Sequence, residues 1–314
     1  MRIALITPYL AQARNGNAHT AARWARALRA AGHRVHLALE WDGRAVDLMI
    51  ALHARRSAVS IHRFAEALPD RPLIVVLTGT DLYRDIRSDA AAQAALQLAT
   101  RLVVLQQRGL AELTPQQQAK TRVVYQSAPP LKPAGRPRRH FDICVAAHLR
   151  EEKDPLRVAY ASGLLPSGSH IRIRHVGQAL SADWAAEAER CAQRFPRWHW
   201  LGPLAHGATR RTIARSHLLV NSSRMEGGAT VIIEAVMAGV PVLASRIPGN
   251  EGMLGVDYAG YFSLGDGPAL AELMYRAETD AEFYAGLQRQ CAARRELFEP
   301  QREATAVQQL IEEL

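Results

Sequence analysis

A chain of 314 residues, 48% of them hydrophobic, is long enough to bury two cores of ordinary size, and this composition excludes general disorder. The formal charge of +9 is carried almost wholly by arginine, the only lysines being Lys120, Lys132 and Lys153. Charge leaves nucleic acid open, but no helix-turn-helix, zinc-finger or RNP-type motif accompanies it, and small anionic substrates account for it equally well.

The first apolar run, Ile3-Ala4-Leu5-Ile6, is too short for a secretory signal and is interrupted by Pro8, so it predicts a buried strand. No window reaches the length of a membrane span, and no stable membrane insertion is expected. Cys144, Cys191 and Cys291 are widely spaced, odd in number and contain no C-x-x-C pair. Such a set argues against a disulfide framework and a zinc site, and predicts a reducing, cytoplasmic setting.

Along the first half, apolar strands are predicted at 2–7, 34–39, 48–52, 73–77, 102–105 and 122–125, with amphipathic helices at 20–31, 57–68 and 90–99. This alternation predicts a doubly wound parallel sheet whose ligands bind beyond the C-terminal ends of the strands. The proline-rich stretch from Ala128 to Pro137 interrupts every pattern. Residues 1–128 therefore form a first Rossmann-like domain, 129–140 a linker, and 141–300 a second Rossmann-like domain. In the second, strands are predicted at 142–147, 172–176, 198–201, 218–221 and 240–245. Helices are predicted at 155–162, 182–194 and 209–215, after residue 228, and from 268 to 314 with a break near Pro300.

Between the strand 218–221 and its helix runs Arg224-Met225-Glu226-Gly227-Gly228-Ala229-Thr230, with Glu234 eight residues after Glu226. The free N–H groups at Gly228, Ala229 and Thr230, with the helix dipole, suit an anion such as a diphosphate. Two acids at this spacing also occur by chance on surface helices. The flanking buried strands and the glycine pair favour the functional reading. No D-x-D occurs in the chain, so a metal-held diphosphate has no candidate ligands, and neither a metal nor another cofactor is expected.

This layout resembles the E-x7-E element of nucleotide-sugar-dependent glycosyltransferases of group 1 (family 4-like) with the GT-B architecture: α/β, two Rossmann-like domains with parallel sheets facing across a cleft. The resemblance implies that Glu226 contacts the donor sugar, Glu234 the ribose, and Arg224 to Thr230 the rest of the donor. It also implies that the final helix, 301–314, crosses back to the first domain. At the end of strand 142–147, His148-Leu149-Arg150-Glu151-Glu152-Lys153 resembles the place where the family neutralises the leaving diphosphate. Lys153 matches the family lysine, His148 stands where an arginine is usual, and Arg150 is a substitute cation. Gly177 and Leu204 resemble positions of close backbone approach to the base, although glycine at a strand end is commonly only a turn.

The resemblance places the acceptor in the first domain, at strand-end loops holding Asn15, Gly16 and Asn17, then His53, Arg55 and Arg56, then Thr78, Gly79, Thr80, Asp81 and Tyr83. Arg55 and Arg56 at a helix start oppose its dipole, and a bound anion would resolve that conflict. Exposed arginines in an arginine-rich chain are the plain alternative. His53-Ala54-Arg55-Arg56-Ser57, Thr78-Gly79-Thr80-Asp81-Leu82-Tyr83, Tyr125-Gln126-Ser127-Ala128-Pro129-Pro130, Lys153-Asp154-Pro155 and Arg246-Ile247-Pro248-Gly249 are together similar to the selenosugar synthase branch of selenoneine biosynthesis. That similarity implies a UDP-sugar (UDP-glucose or UDP-N-acetylglucosamine) and selenophosphate as substrates, with selenium joined to the anomeric carbon. A transferase with a carbohydrate or lipid-phosphate acceptor, and a non-catalytic nucleotide- or nucleic-acid-binding relative, remain as alternatives.

Overall fold

The computed structural model describes residues 1–10, 16–131 and 135–314. The chain forms two compact units, 1–127 with 226–228 and 299–314, and 128–225 with 229–298.

The first unit is a parallel six-stranded sheet in the order β2-β1-β3-β4-β5-β6. Its strands are β1 (Arg2–Ile6), β2 (Arg34–Ala38), β3 (Leu48–Leu52), β4 (Leu73–Leu77), β5 (Arg101–Val104) and β6 (Thr121–Val123). β3 and β4 are buried at every position, as expected of inner parallel strands covered on both faces, which need continuous apolar runs. α1 (Gly16–Ala30) packs Trp24 and Leu28 on one side of the sheet. α2 (Ala58–Ala67) places Ile61 and Phe64 on the other, with Trp41 edge-on to the Phe64 ring.

Between β4 and β5 lie a π-helical turn, Asp81–Asp85, then α3 (Ile86–Ser88) and α4 (Ala90–Leu98), the last capped by Asp89 accepting from the Ala92 amide at 2.9 Å. Neither the π turn nor α3 was expected, because the run from Thr78 to Asp89 has no apolar periodicity. α5 (Pro115–Ala119) follows with a complete Thr114–Gln117 capping box.

The second unit is also parallel, in the order β12-β11-β10-β7-β8-β9, and joins its strands through helices as βαβ units. In chain order it comprises β7 (Phe141–Ala146), α6 (Arg157–Ser162), β8 (Ile171–Val176), α7 (Ala182–Arg194), β9 (Trp198–Trp200), α8 (His206–Arg215), β10 (Leu218–Asn221), α9 (Thr230–Met237), β11 (Val242–Ser245), α10 (Pro248–Leu254), β12 (Tyr261–Phe262), α11 (Gly267–Thr279) and α12 (Ala281–Ala293).

The last helix, α13 (Pro300–Glu312), belongs to the first unit and starts at Pro300, whose missing N–H costs nothing in a first turn. Val307, Leu310 and Ile311 enter the core beside Trp24. One turn earlier the buried Glu303 carboxylate accepts from Trp24 Nε1 at 2.9 Å, Arg23 Nε at 2.8 Å, and the amide and hydroxyl of Ser127 at 3.0 and 2.5 Å.

Among the described residues the three cysteines are buried free thiols, no helix is long and apolar enough to cross a membrane, and no group of three His, Cys, Asp or Glu side chains is placed to hold a metal ion.

Candidate active site

In the second unit the strand order reverses at β7, which lies between β10 and β8. In doubly wound sheets the ligand crevice opens beyond the carboxyl ends of the strands at such a reversal. Two loops leave the sheet there: 147–156 after β7 and 222–225 after β10. They are laced together. Ser222 Oγ donates to the carbonyls of Lys153 and Asp154 at 3.2 and 2.9 Å, and the Arg224 amide donates to the Glu152 carbonyl at 2.9 Å. Asp154 adopts the left-handed region, with φ of 41°, so the chain turns sharply after Lys153.

His148, Arg150 and Lys153 share this loop, and each is half-buried. The Nδ1 of His148 accepts from the Gln178 amide at 3.1 Å, which leaves the proton of the neutral ring on Nε2. Burial, and then the charges of Arg150 and Lys153, hold its pKa below the ordinary histidine value. His148 is therefore a neutral N–H donor beside two cations, an arrangement suited to anionic oxygen. The Nε of Arg150 lies 3.9 Å from Glu152.

Gly177 meets a steric demand. A Cβ there would lie 1.8 Å from the Ala147 carbonyl oxygen, so β7 and β8 can end side by side only with glycine. The Gly177 amide donates to Gly202 at 2.9 Å and its carbonyl accepts from Trp200 Nε1 at 2.8 Å. This ties down the coil that holds Leu204, which is half-buried.

Ala229 is the N-terminal flanking residue of α9, and Thr230 begins it. One turn along, the buried Glu234 carboxylate accepts a 2.5 Å bond from His206 Nε2, with Arg210 Nε at 3.9 Å. These two partners on α8 escaped the sequence reading. The signal for them was their place on the helix that follows the strand-end coil 201–205. Arg224 is exposed and Met225 half-buried.

In the first unit the expected acceptor residues separate into two groups. Asp81 is fully buried and serves the loops: its oxygens accept the amides of Thr78, Gly79 and Ala54 at 2.9, 2.8 and 3.0 Å. His53 is buried at a φ of 71°, its Nε2 3.0 Å from Thr80 Oγ1. A non-glycine residue in this region stores strain that recurs at ligand sites. Tyr83 accepts from Gln106 Nε2 at 2.8 Å. Since Gln106 Oε1 takes the Gly109 amide, the amide orientation is set and Tyr83 keeps its own O–H to donate.

Arg55 needs no bound anion to offset the helix dipole, because it pairs with Asp89 at 2.9 Å and Asp85 at 3.8 Å. Arg56 is exposed, 5.1 Å over the Tyr9 ring. Gly16 and Asn17 form the first turn of α1, where Thr20 Oγ1 bonds the Gly16 carbonyl at 2.8 Å. Asn15 lies outside the described residues.

Glu226 is buried; burial above all raises the pKa of Tyr83, and the charges of Glu112 and then Glu226 add to it. A Cβ on Gly227 would meet the Thr78 carbonyl at 2.2 Å, so the glycine lets the turn rest on the 78–79 loop. Gly228 lies beside Gln126, a buried amide whose Oε1 has no hydrogen-bond partner among the described residues.

Known proteins share this architecture. Anabaena Alr3699/HepE, solved with UDP-glucose, aligns over 100% of both chains with a TM-score of 0.81 and 17% identity. Sucrose-phosphate synthase from Thermosynechococcus elongatus aligns over 99% of this chain and 98% of its own, with a TM-score of 0.81 and 16% identity. The fold is therefore the α/β two-domain GT-B fold. Residues 142–280, nearly all in the second unit, match the family described as Glycosyl transferases group 1. Glycosyltransferase 1 domain-containing protein 1 of Xenopus tropicalis is 25% identical over 273 residues, covering 77% of this chain and 78% of that protein. These matches support a glycosyltransferase of group 1.

Proposed function

We propose that this chain transfers a hexosyl group from a UDP-sugar, and that the acceptor is selenophosphate. The observation that carries the transferase reading is the loop holding His148, Arg150 and Lys153, tied to the β10–α9 turn at the sheet's reversal point. It gathers an N–H donor and two cations where a departing diphosphate gains charge, and preorganised groups of this kind contribute most to such transition states. Glu234 is assigned to the ribose and Glu226 to the sugar hydroxyls. The reaction needs no bound metal in this reading, because cationic side chains take the role of the ion. A UDP-sugar donor is in keeping with the UDP-glucose held by Anabaena Alr3699/HepE.

The selenophosphate reading rests on the resemblance of the segments quoted above. Selenophosphate arrives as a soft, anionic nucleophile and requires no general base. Its selenium bonds to C1 as the C1–O bond breaks, the electron pair leaving with UDP. Water then cleaves the Se–P bond to release phosphate and the 1-selenosugar. Thr78, Thr80 and Tyr83 are the hydroxyl donors assigned to its phosphate end.

The test supplies purified protein with UDP-glucose or UDP-N-acetylglucosamine, with and without selenophosphate, and follows UDP release and selenium in the sugar by mass spectrometry. Selenophosphate-dependent UDP release with a selenium-containing hexose is expected. Glycosylation of a polysaccharide or lipid phosphate without any selenosugar would return the chain to the general transferase reading.

A further inference from the structure

The opposite end of the second sheet carries a cluster that the proposed reaction leaves unused. Residues 136–140 read Arg-Pro-Arg-Arg-His, with no acid among them. His140 immediately precedes β7, His170 precedes β8 and His217 precedes β10, and these three strands are adjacent and parallel. Tertiary structure thus gathers three imidazoles, distant in sequence, at the N-terminal strand ends. The donor loops leave from the C-terminal ends. A strand rises about 3.3 Å per residue, so the six-residue β7 separates the two places by roughly 20 Å.

Arg136, Arg138, Arg139, His140, His170 and His217 line an open surface depression of about 420 Å³. Its one carboxylate offsets only one of the three guanidinium charges. Glu278 Oε2 accepts from Ser169 Oγ at 2.7 Å, and Oε1 accepts the His170 amide at 2.6 Å. Arg136 donates to Tyr284 Oη at 2.7 Å and to the Gly239 carbonyl at 3.0 Å, neither of them charged. Arg138 and Arg139 are exposed, and among the described residues neither has an ion-pair partner. The His217 ring is held by the stacked Phe141 at 4.8 Å and takes the Asp142 amide on Nδ1 at 3.0 Å. Its neutral form therefore presents Nε2–H as a donor. Burial, followed by the charge of Arg136, lowers its pKa.

A depression walled by guanidinium and imidazole donors calls for a ligand that accepts hydrogen bonds and brings negative charge. Its three guanidinium groups offer more donors than a single phosphate uses. We propose that this depression is a second binding site, separate from the donor site, for a small multivalent phosphate-bearing anion. Arg138 and Arg139 engage the phosphate oxygens, and occupancy fastens the segment 135–140 against the strand starts.

The test uses the full chain with its donor site saturated by UDP. Calorimetric titration with tripolyphosphate should show one further binding event. The Arg138→Ala/Arg139→Ala double variant should weaken it at least tenfold while UDP affinity and thermal midpoint stay unchanged. Sedimentation with vesicles containing phosphatidic acid separates the sources of the ligand. Variant-sensitive vesicle binding assigns a lipid headgroup, and its absence beside tripolyphosphate binding assigns a soluble anion. No second event, equal affinity in the double variant, or variant-sensitive binding of a short RNA without tripolyphosphate binding would overturn the proposal.

Discussion

Glu234 Oε1 accepts a 2.5 Å hydrogen bond from His206 Nε2, so the buried acid of α9 is held by the first residue of α8. One carboxylate oxygen is engaged and the geometry of the other is set. Loss of the carboxylate in Glu234→Ala should weaken UDP at least tenfold by calorimetry, since a hydrogen bond to a charged group contributes about 1.5–3 kcal/mol. Loss of the orienting ring in His206→Ala should weaken it by a smaller factor. Unchanged UDP affinity in Glu234→Ala would remove the ribose role.

Lys153 stands on the loop bonded to the β10 turn through Ser222. Removing one preorganised charge from a developing oxyanion costs about 2.7–4 kcal/mol. Lys153→Ala should therefore lower kcat about 10²- to 10³-fold, with a much smaller effect on UDP binding. A kcat close to that of the parent protein would show that another cation neutralises the leaving group.

The proposed mechanism takes its charge compensation from side chains. Turnover in excess chelator should match turnover in added magnesium. Loss of most activity in chelator, restored by metal, would contradict this expectation.

His175 is fully buried on β8, its Nε2 donating to the Ala147 carbonyl at 3.0 Å while, among the described residues, Nδ1 has no partner. Burial pulls its pKa down to about 4. At neutral pH the ring is uncharged in both folded and unfolded chains. As pH falls below about 6.5 only the unfolded chain takes up the proton, so stability declines until the folded ring titrates near 4, a loss of about 3 kcal/mol. Urea melts at pH 7.5 and 5 should show this decline, and His175→Phe should flatten it. An equal decline in the variant would assign it to other groups.

Glu303 binds Arg23, Trp24 and Ser127 from within the first unit. Deleting it leaves a half-buried guanidinium and a buried indole N–H without their acceptor, each costing about 1–3 kcal/mol. Glu303→Ala should lower the urea midpoint accordingly. A surface substitution on the same helix, Gln309→Ala, should shift it by less than about 0.5 kcal/mol.

The alternation of apolar strands with helices follows from the order of apolar and polar residues, because strand periodicity acts locally. The loop after β7 that carries Lys153, the loop after β10 that carries Glu226 and the helix that carries Glu234 were legible for the same reason, since each follows a strand recognisable from its neighbours. The π turn at Asp81–Asp85 was not legible. It depends on amides from two loops converging on one buried carboxylate, and Asp81 resembles an exposed polar residue until those amides are placed around it. Arg55 likewise looked unpaired because Asp85 and Asp89 lie thirty and more positions away in sequence. The sequence by itself determined the α/β class, the order of strands and helices and the E-x7-E spacing. Only the tertiary structure decided which acids are occupied by arginine, histidine or backbone partners and which strand starts bring His140, His170 and His217 together, because hydrogen bonding and charge pairing depend on distances that parallel crossovers set between remote residues.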